Sequence, residues 1–191
     1  MTYGLVVSMK IKQNGLWVNP PGNLQWRLNN QWHQASSVNW VLATDDDFWG
    51  YNDGQFLYVG TEEYIEIPHI IKGVEVTSYV SMFEENSTVK GVKSTNTNVT
   101  SSDSMFRVSQ STELDLRDLN LSSVTRTSFM FYYANIEKLD LSKWDTSNIT
   151  SRGLMFYGAT IGTIYARTQA DADFFRTGTA LSTSTNVIVK S

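Results

Sequence analysis

Leu139-Asp140-Leu141-Ser142-Lys143-Trp144-Asp145-Thr146-Ser147-Asn148-Ile149-Thr150, followed by Met155-Phe156-Tyr157-Gly158, carries the three phase markers that decide the fold. The Met-Phe doublet occurs four times, at Met82-Phe83, Met105-Phe106, Met130-Phe131 and Met155-Phe156, at intervals of 23, 25 and 25 residues. A second marker, Val99-Thr100, Val124-Thr125 and Ile149-Thr150, keeps the 25-residue interval. So does a third, Leu114-Asp115-Leu116 and Leu139-Asp140-Leu141. Three markers with one period specify an internal repeat. A period of about 20–29 residues with leucine at fixed offsets is the signature of a leucine-rich-repeat solenoid. A stack of this kind offers surface, which favours binding over catalysis.

Each repeat follows one logic. The Leu-Asp-Leu segment predicts a short strand with both leucines on one face. A polar turn follows, whose Ser and Asn side chains satisfy backbone groups locally. Ile149 and then Met155-Phe156 supply the remaining apolar contribution. Burying about four or five such side chains stabilises by about 1.5–3 kcal/mol each. Ordering the backbone of one repeat costs about 1–2 kcal/mol per residue. A single repeat therefore cannot fold alone, and both of its faces must be covered by neighbours.

The tail predicts the far end of the stack. Ile164 stands eight residues after Phe156, as Leu114 and Leu139 stand after Phe106 and Phe131, so a strand is expected at Thr163-Ile164-Tyr165-Ala166. Gln169 to Arg176 reads as a short helix closed by Gly178, and Asn186 to Lys190 as the last strand. The first repeat is shorter, with Val89 six residues after Phe83 and Val89-Lys90-Gly91-Val92 in place of Leu-Asp-Leu. Terminal repeats are commonly atypical. Ahead of it, Tyr64-Ile65-Glu66-Ile67 alternates up to Pro68, and Ile70 to Val76 predicts a capping hairpin turning at Lys72-Gly73.

Residues 1–57 have a different grammar and hold five of the six tryptophans. Asn14-Gly15, Asn29-Asn30 and Asp46-Asp47 each stand two residues before a Trp and follow an alternating stretch. Three small β-hairpins are expected, turning at those dipeptides. The chain thus divides into a tryptophan-containing hairpin module for attachment or oligomerisation, residues 1–57, and a repeat domain with caps, residues 58–191. The fold class is mainly β with short helical segments.

Composition narrows the partners. The chain has 191 residues, no cysteine and a net charge of −4, so no disulfide, thiolate nucleophile or cysteine zinc site is available. An acidic balance without clustered Lys and Arg argues against nucleic acid. No apolar run approaches a transmembrane length, so no membrane insertion is expected. No charged start, apolar core and cleavage site of a secretory signal is visible at the N-terminus, and no anchor motif at the C-terminus.

Few residues invite chemistry. Only His33 and His69 could serve a Ser–His–Asp assembly, and neither accompanies a nucleophile motif. Asp45-Asp46-Asp47 with Asn52-Asp53-Gly54 lacks the alternate acidic positions of a calcium loop. Glu62-Glu63 and Glu84-Glu85 are adjacent pairs of the kind found in solvated turns. The expectation is a non-catalytic protein with no cofactor and no metal. The sequons at Asn86, Asn98, Asn120 and Asn148 follow from turns that call for Asn and Thr. Most tryptophans follow the hairpin spacing and read as core. The residues selected as surface contacts are Trp26, Trp32 and Trp49, with Tyr132, Tyr133 and Tyr157 on the rim just past the Met-Phe doublets.

The segment from Leu139 to Thr150, with Met155-Phe156-Tyr157-Gly158, resembles the BspA-type leucine-rich repeat. Repeats at 114–131 and 89–106 are weaker copies, and with its caps the resemblance spans roughly residues 64–191. Arg126 and Arg152 depart from it, preceding Phe129 and Leu154 where the pattern usually has small residues and Met. The family comprises bacterial surface adhesins and structural proteins of bacteriophages of Gram-positive hosts. The hairpins, together with Gly60 to His69, look most like the phage members. The resemblance implies a virion protein of the tail, baseplate or head fibre that binds the host envelope. It carries no catalytic residues. The implied partners are other virion proteins, through the N-terminal module, and a host cell-surface glycan or protein. Self-association into a homo-oligomer is compatible with this. The alternative is a BspA-type adhesin on the bacterial cell surface.

Overall fold

The computed structural model describes the backbone of residues 11–13, 16–18, 25–28 and 31–34, and residues 40–50 and 55–190. The chain separates into two compact units, Met1–Asn39 and Trp40–Ser191. The first holds two antiparallel hairpins. Strands β1 (Ile11–Gln13) and β2 (Leu16–Val18) pair with Gln13 opposite Leu16, which leaves Asn14-Gly15 between them. Strands β3 (Gln25–Leu28) and β4 (Gln31–Gln34) pair with Leu28 opposite Gln31, leaving Asn29-Asn30. Both strand pairings fall on either side of the dipeptides expected to turn, which themselves lie outside the described residues.

The third expected hairpin does not form at Asp46-Asp47. Strand β5 (Val41–Leu42) instead lies parallel to a strand of the repeat sheet, with Val41 opposite Ile65. Asp45–Asp47 is a single 3-10 turn. The Asp47 carboxylate accepts from the Thr44 amide at 2.7 Å and the Thr44 hydroxyl at 2.9 Å, while Asp45 accepts from the Lys72 amide at 2.7 Å. The actual hairpin follows, β6 (Phe48–Gly50) against β7 (Phe56–Tyr58). Phe48, Phe56 and Tyr58 are buried in the repeat core. Residues 40–50 and 55–57 thus belong to the second unit, Trp40–Ser191.

The repeat unit continues through β8 (Tyr64–Glu66) and the hairpin β9 (Ile70–Ile71) and β10 (Val74–Glu75). Lys72 and Gly73 take φ of 50° and 79°, the two left-handed positions that a two-residue hairpin turn demands. Then come β11 (Gly91–Lys93), β12 (Gln110–Asp115), β13 (Asn135–Leu141), β14 (Thr160–Ala166), helix α1 (Gln169–Arg176) and β15 (Asn186–Val189). One parallel sheet runs in the order β15-β14-β13-β12-β11-β8-β5. Its register repeats the sequence period, with Leu114 opposite Leu139, Leu139 opposite Ile164, and Ile164 opposite Val187.

Beneath the sheet runs the core. All four Met-Phe doublets are at most 1% exposed. The rings of Phe83, Phe106, Phe131 and Phe156 stack near-parallel, with centroids 5.3, 5.7 and 5.3 Å apart and planes within 4–11°. Tyr58 joins the column at 5.4 Å with a tilted ring, and Phe175 of α1 closes it edge-on at 6.2 Å. The threonine marker forms a further ladder, in which the amides of Thr100, Thr125 and Thr150 donate to the carbonyls of Thr77, Thr100 and Thr125 at 3.3, 3.0 and 2.9 Å.

Helix α1 is fastened by one carboxylate. Asp171 is 2% exposed and accepts from the Thr146 amide and hydroxyl, from Thr168 and from Arg167 at 2.6–3.0 Å. Burial pushes its pKa up, but these donors outweigh burial and hold it below the usual carboxylate value.

Two outcomes follow. Phe131→Ala removes the middle of the ring column and is expected to lower unfolding free energy by about 3–5 kcal/mol, measured by urea titration; a loss below about 1 kcal/mol would show that the rings do not share one core. Asp171→Asn is expected to destabilise by about 1–3 kcal/mol near neutral pH. Since the folded pKa is depressed, the Asp171 contribution is present above the unfolded pKa and is lost as pH falls through the folded value. The wild type and the variant should therefore converge in stability below about pH 4 and stay apart above it.

Candidate functional site: the aromatic edge

Each Met-Phe doublet sits in a tight turn bracketed by two left-handed residues. The residue before Met is Ser81, Ser104, Phe129 or Leu154, with φ of 54–59°. The second residue after Phe is Glu85, Val108, Tyr133 or Gly158, with φ of 52–69°. Amides alternate in destination. Those of Ser81, Phe83 and Glu85 donate to Asp103, Met105 and Arg107 of the next turn, while those of Met82, Glu84 and Asn86 close their own turn. This hydrogen-bonded stack of turns turns Met and Phe inward and leaves the flanking side chains for the surface.

The surface chemistry changes along the edge. In the first two turns the residue after Phe is Glu84 or Arg107, and these form an ion pair. In the next two it is Tyr132 or Tyr157, whose rings stack at 5.5 Å. Tyr133 meets Tyr132 at 4.6 Å and Tyr157 at 5.8 Å, both edge-on, and Phe129 meets Tyr132 at 5.6 Å. Four side chains here are substantially exposed, Phe129 at 40%, Tyr133 at 53%, Leu154 at 41% and Tyr157 at 45%. Gly158 lies beneath them, and a Cβ there would come within 2.7 Å of the Tyr133 ring, so any side chain would displace it.

The structure thus brings together Tyr132, Tyr133 and Tyr157, three of the residues selected from sequence. Trp49 is 57% exposed but lies on β6, at the opposite end of the ring column. The side chains of Trp26 and Trp32 lie outside the described residues. Phe129 and Leu154 were missed by sequence reasoning. Their signal was their position, immediately before Met, where the first two repeats carry Ser81 and Ser104.

Two of the residues weighed for chemistry, His69 and Glu63, take part in structural bonds. His69 contacts Glu75 at 3.4 Å and Asn96 at 3.2 Å. Glu63 pairs with Lys90 at 2.5 Å. A shallow cavity of about 240 Å³ is lined by Arg117, Asp118, Leu121, Lys143, Trp144 and Asp145. Its ions are matched, Lys143 to Asp118 at 2.5 Å, Arg117 to Asp115 at 2.6 Å and Asp145 to Arg167 at 3.0 Å, and the Trp144 indole donates to the Leu116 carbonyl at 2.8 Å. It lacks uncompensated polarity to aim at a ligand.

Backbone strain marks the aromatic edge further. A left-handed conformation costs a bulky L-residue about 1–2 kcal/mol. Leu154→Gly is expected to hold or raise stability, by up to about 1 kcal/mol after the entropic cost of glycine. A thermal melt checks this, and a fall of several degrees would mean that Leu154 supports the fold.

Residues 72–164, just under half of the chain, match the model of a family described as "Mycoplasma protein of unknown function, DUF285". Comparison with curated proteins and with solved structures found no match. The matched span begins in the β9–β10 turn and ends within β14, so it takes in all four Met-Phe turns. With the repeat stack, the match fits a BspA-type repeat array.

Proposed function

We propose that this chain is a non-catalytic structural protein of a bacteriophage virion, in the tail, baseplate or head fibre, whose repeat unit binds the host envelope. The observation that carries the binding role is the aromatic edge, where large apolar side chains stand in solvent on left-handed backbone. Left-handed backbone recurs in every turn of the stack, and only here does it carry exposed Phe, Tyr and Leu. The rings are set on turns stapled to a rigid core, so little side-chain freedom is lost when a ligand covers them. The phage assignment is supported by the two-part layout, with two short hairpins ahead of the repeat unit that begins at Trp40. In this reading the hairpins join the chain to other virion proteins or to further copies of itself. The net charge of −4, with no run of basic residues, disfavours nucleic acid as a partner. No helix among the described residues is long and apolar enough to cross a membrane.

A second reading, a BspA-type adhesin of the bacterial cell surface, is favoured by the family match and needs the same edge. Mass spectrometry and immunogold imaging of purified particles separate the two. Labelled virions are the expected outcome. Absence from particles together with surface labelling of the bacterium would replace the virion by the adhesin.

A further inference from the structure

We infer that the aromatic edge is a carbohydrate-binding platform, so that the envelope component it engages is a sugar chain and not a protein. The inference rests on the envelope-binding reading above and adds the chemistry of the ligand.

Footprint decides between the two classes. The patch consists of Phe129, Tyr132, Tyr133, Leu154 and Tyr157. A specific protein interface engages about 20–30 residues a side. Along the same edge the preceding turns present the Glu84–Arg107 ion pair, which breaks the apolar surface. Five side chains fit a few sugar units.

Composition points the same way. Three of the five are tyrosines, each combining an apolar ring with a hydroxyl. The C–H face of a pyranose covers such a ring, while its hydroxyls exchange hydrogen bonds with the phenol oxygens. The rings brace one another at 4.6–5.8 Å, so the platform is preformed.

The repeat itself provides a variant that preserves the fold. Ser81 and Ser104 occupy the register of Phe129 and Leu154, and Gly158 that of Tyr133, all with positive φ. Phe129→Ser, Tyr133→Gly and Leu154→Ser, made together, copy those residues and relieve strain. The fluorescently labelled full chain is titrated onto source-strain cells that are untreated, periodate-oxidised or protease-shaved, with circular dichroism melts of both proteins. We expect the wild type to bind untreated and shaved cells, periodate to abolish binding, and the folded triple variant to bind about tenfold or more weakly. Binding lost on shaving but kept after periodate, or an undiminished triple variant, overturns the carbohydrate platform while leaving envelope binding intact. No binding of the wild type to untreated cells overturns the envelope reading itself.

Discussion

The repeat unit depends on one constraint, that each coil must place a phenylalanine where the ring of the next coil can lie flat on it. Within the array the planes are within 4–11° of parallel. Flat stacking leaves both faces of every ring in need of a neighbour. An interior coil is stable only between two others, because its own apolar contribution does not offset the entropy of ordering its backbone. The ends are made by rotating the ring. Tyr58 meets Phe83 at 49° and Phe175 meets Phe156 at 81°. An edge-on or tilted ring covers its neighbour without presenting an equivalent face outward, so the column stops. The helix after β14 and the hairpin before β8 are the devices that supply those two rings. Asp171, bonded to Thr146 of the third polar turn, then fixes the helix to the stack.

That spine was legible in the sequence because it is written in large, invariant markers at one period. The hairpins at Asn14-Gly15, Asn29-Asn30 and Lys72-Gly73 were legible for a different reason. Their pairing is local, and short turn-forming dipeptides stand between the paired strands. Val41-Leu42 failed on this point. Its partner Ile65 lies 24 residues away in parallel pairing, which leaves no turn signature, while the adjacent Asp46-Asp47 mimics one. The acids there serve the Thr44 and Lys72 amides instead of a hairpin tip. The strands also begin earlier than Leu-Asp-Leu announces. Ile136 and Ile161 are buried partners in β13 and β14, but the matching position in β12 is Ser111, so no third copy drew notice to them.

The candidate site was half legible. Tyr132, Tyr133 and Tyr157 follow the doublets directly and could be placed by phase. Phe129 and Leu154 occupy a position whose chemistry is not periodic, since Ser81 and Ser104 precede them. Repeat analysis finds what is shared, and a binding surface on a repeat protein is built from what is not shared. The structure adds the deciding fact, that this position is left-handed in every turn and faces away from the core in the last two.

The same backbone therefore carries two surfaces. Where the edge bears Ser81, Ser104 and a Glu84–Arg107 pair, solvation and fold agree, and Val108 is the one β-branched residue on positive φ. Where it bears Phe129, Tyr133 and Leu154, each local preference is violated at once: bulky residues on positive φ, and apolar rings in water. The stack does not need these side chains, because the core beneath is closed by Met130, Phe131, Met155 and Phe156 whatever the edge presents. A fold that is indifferent to a residue, yet carries it at a cost, points to selection by something outside the fold. On this chain that argument singles out the third and fourth turns as the surface where a ligand must be sought.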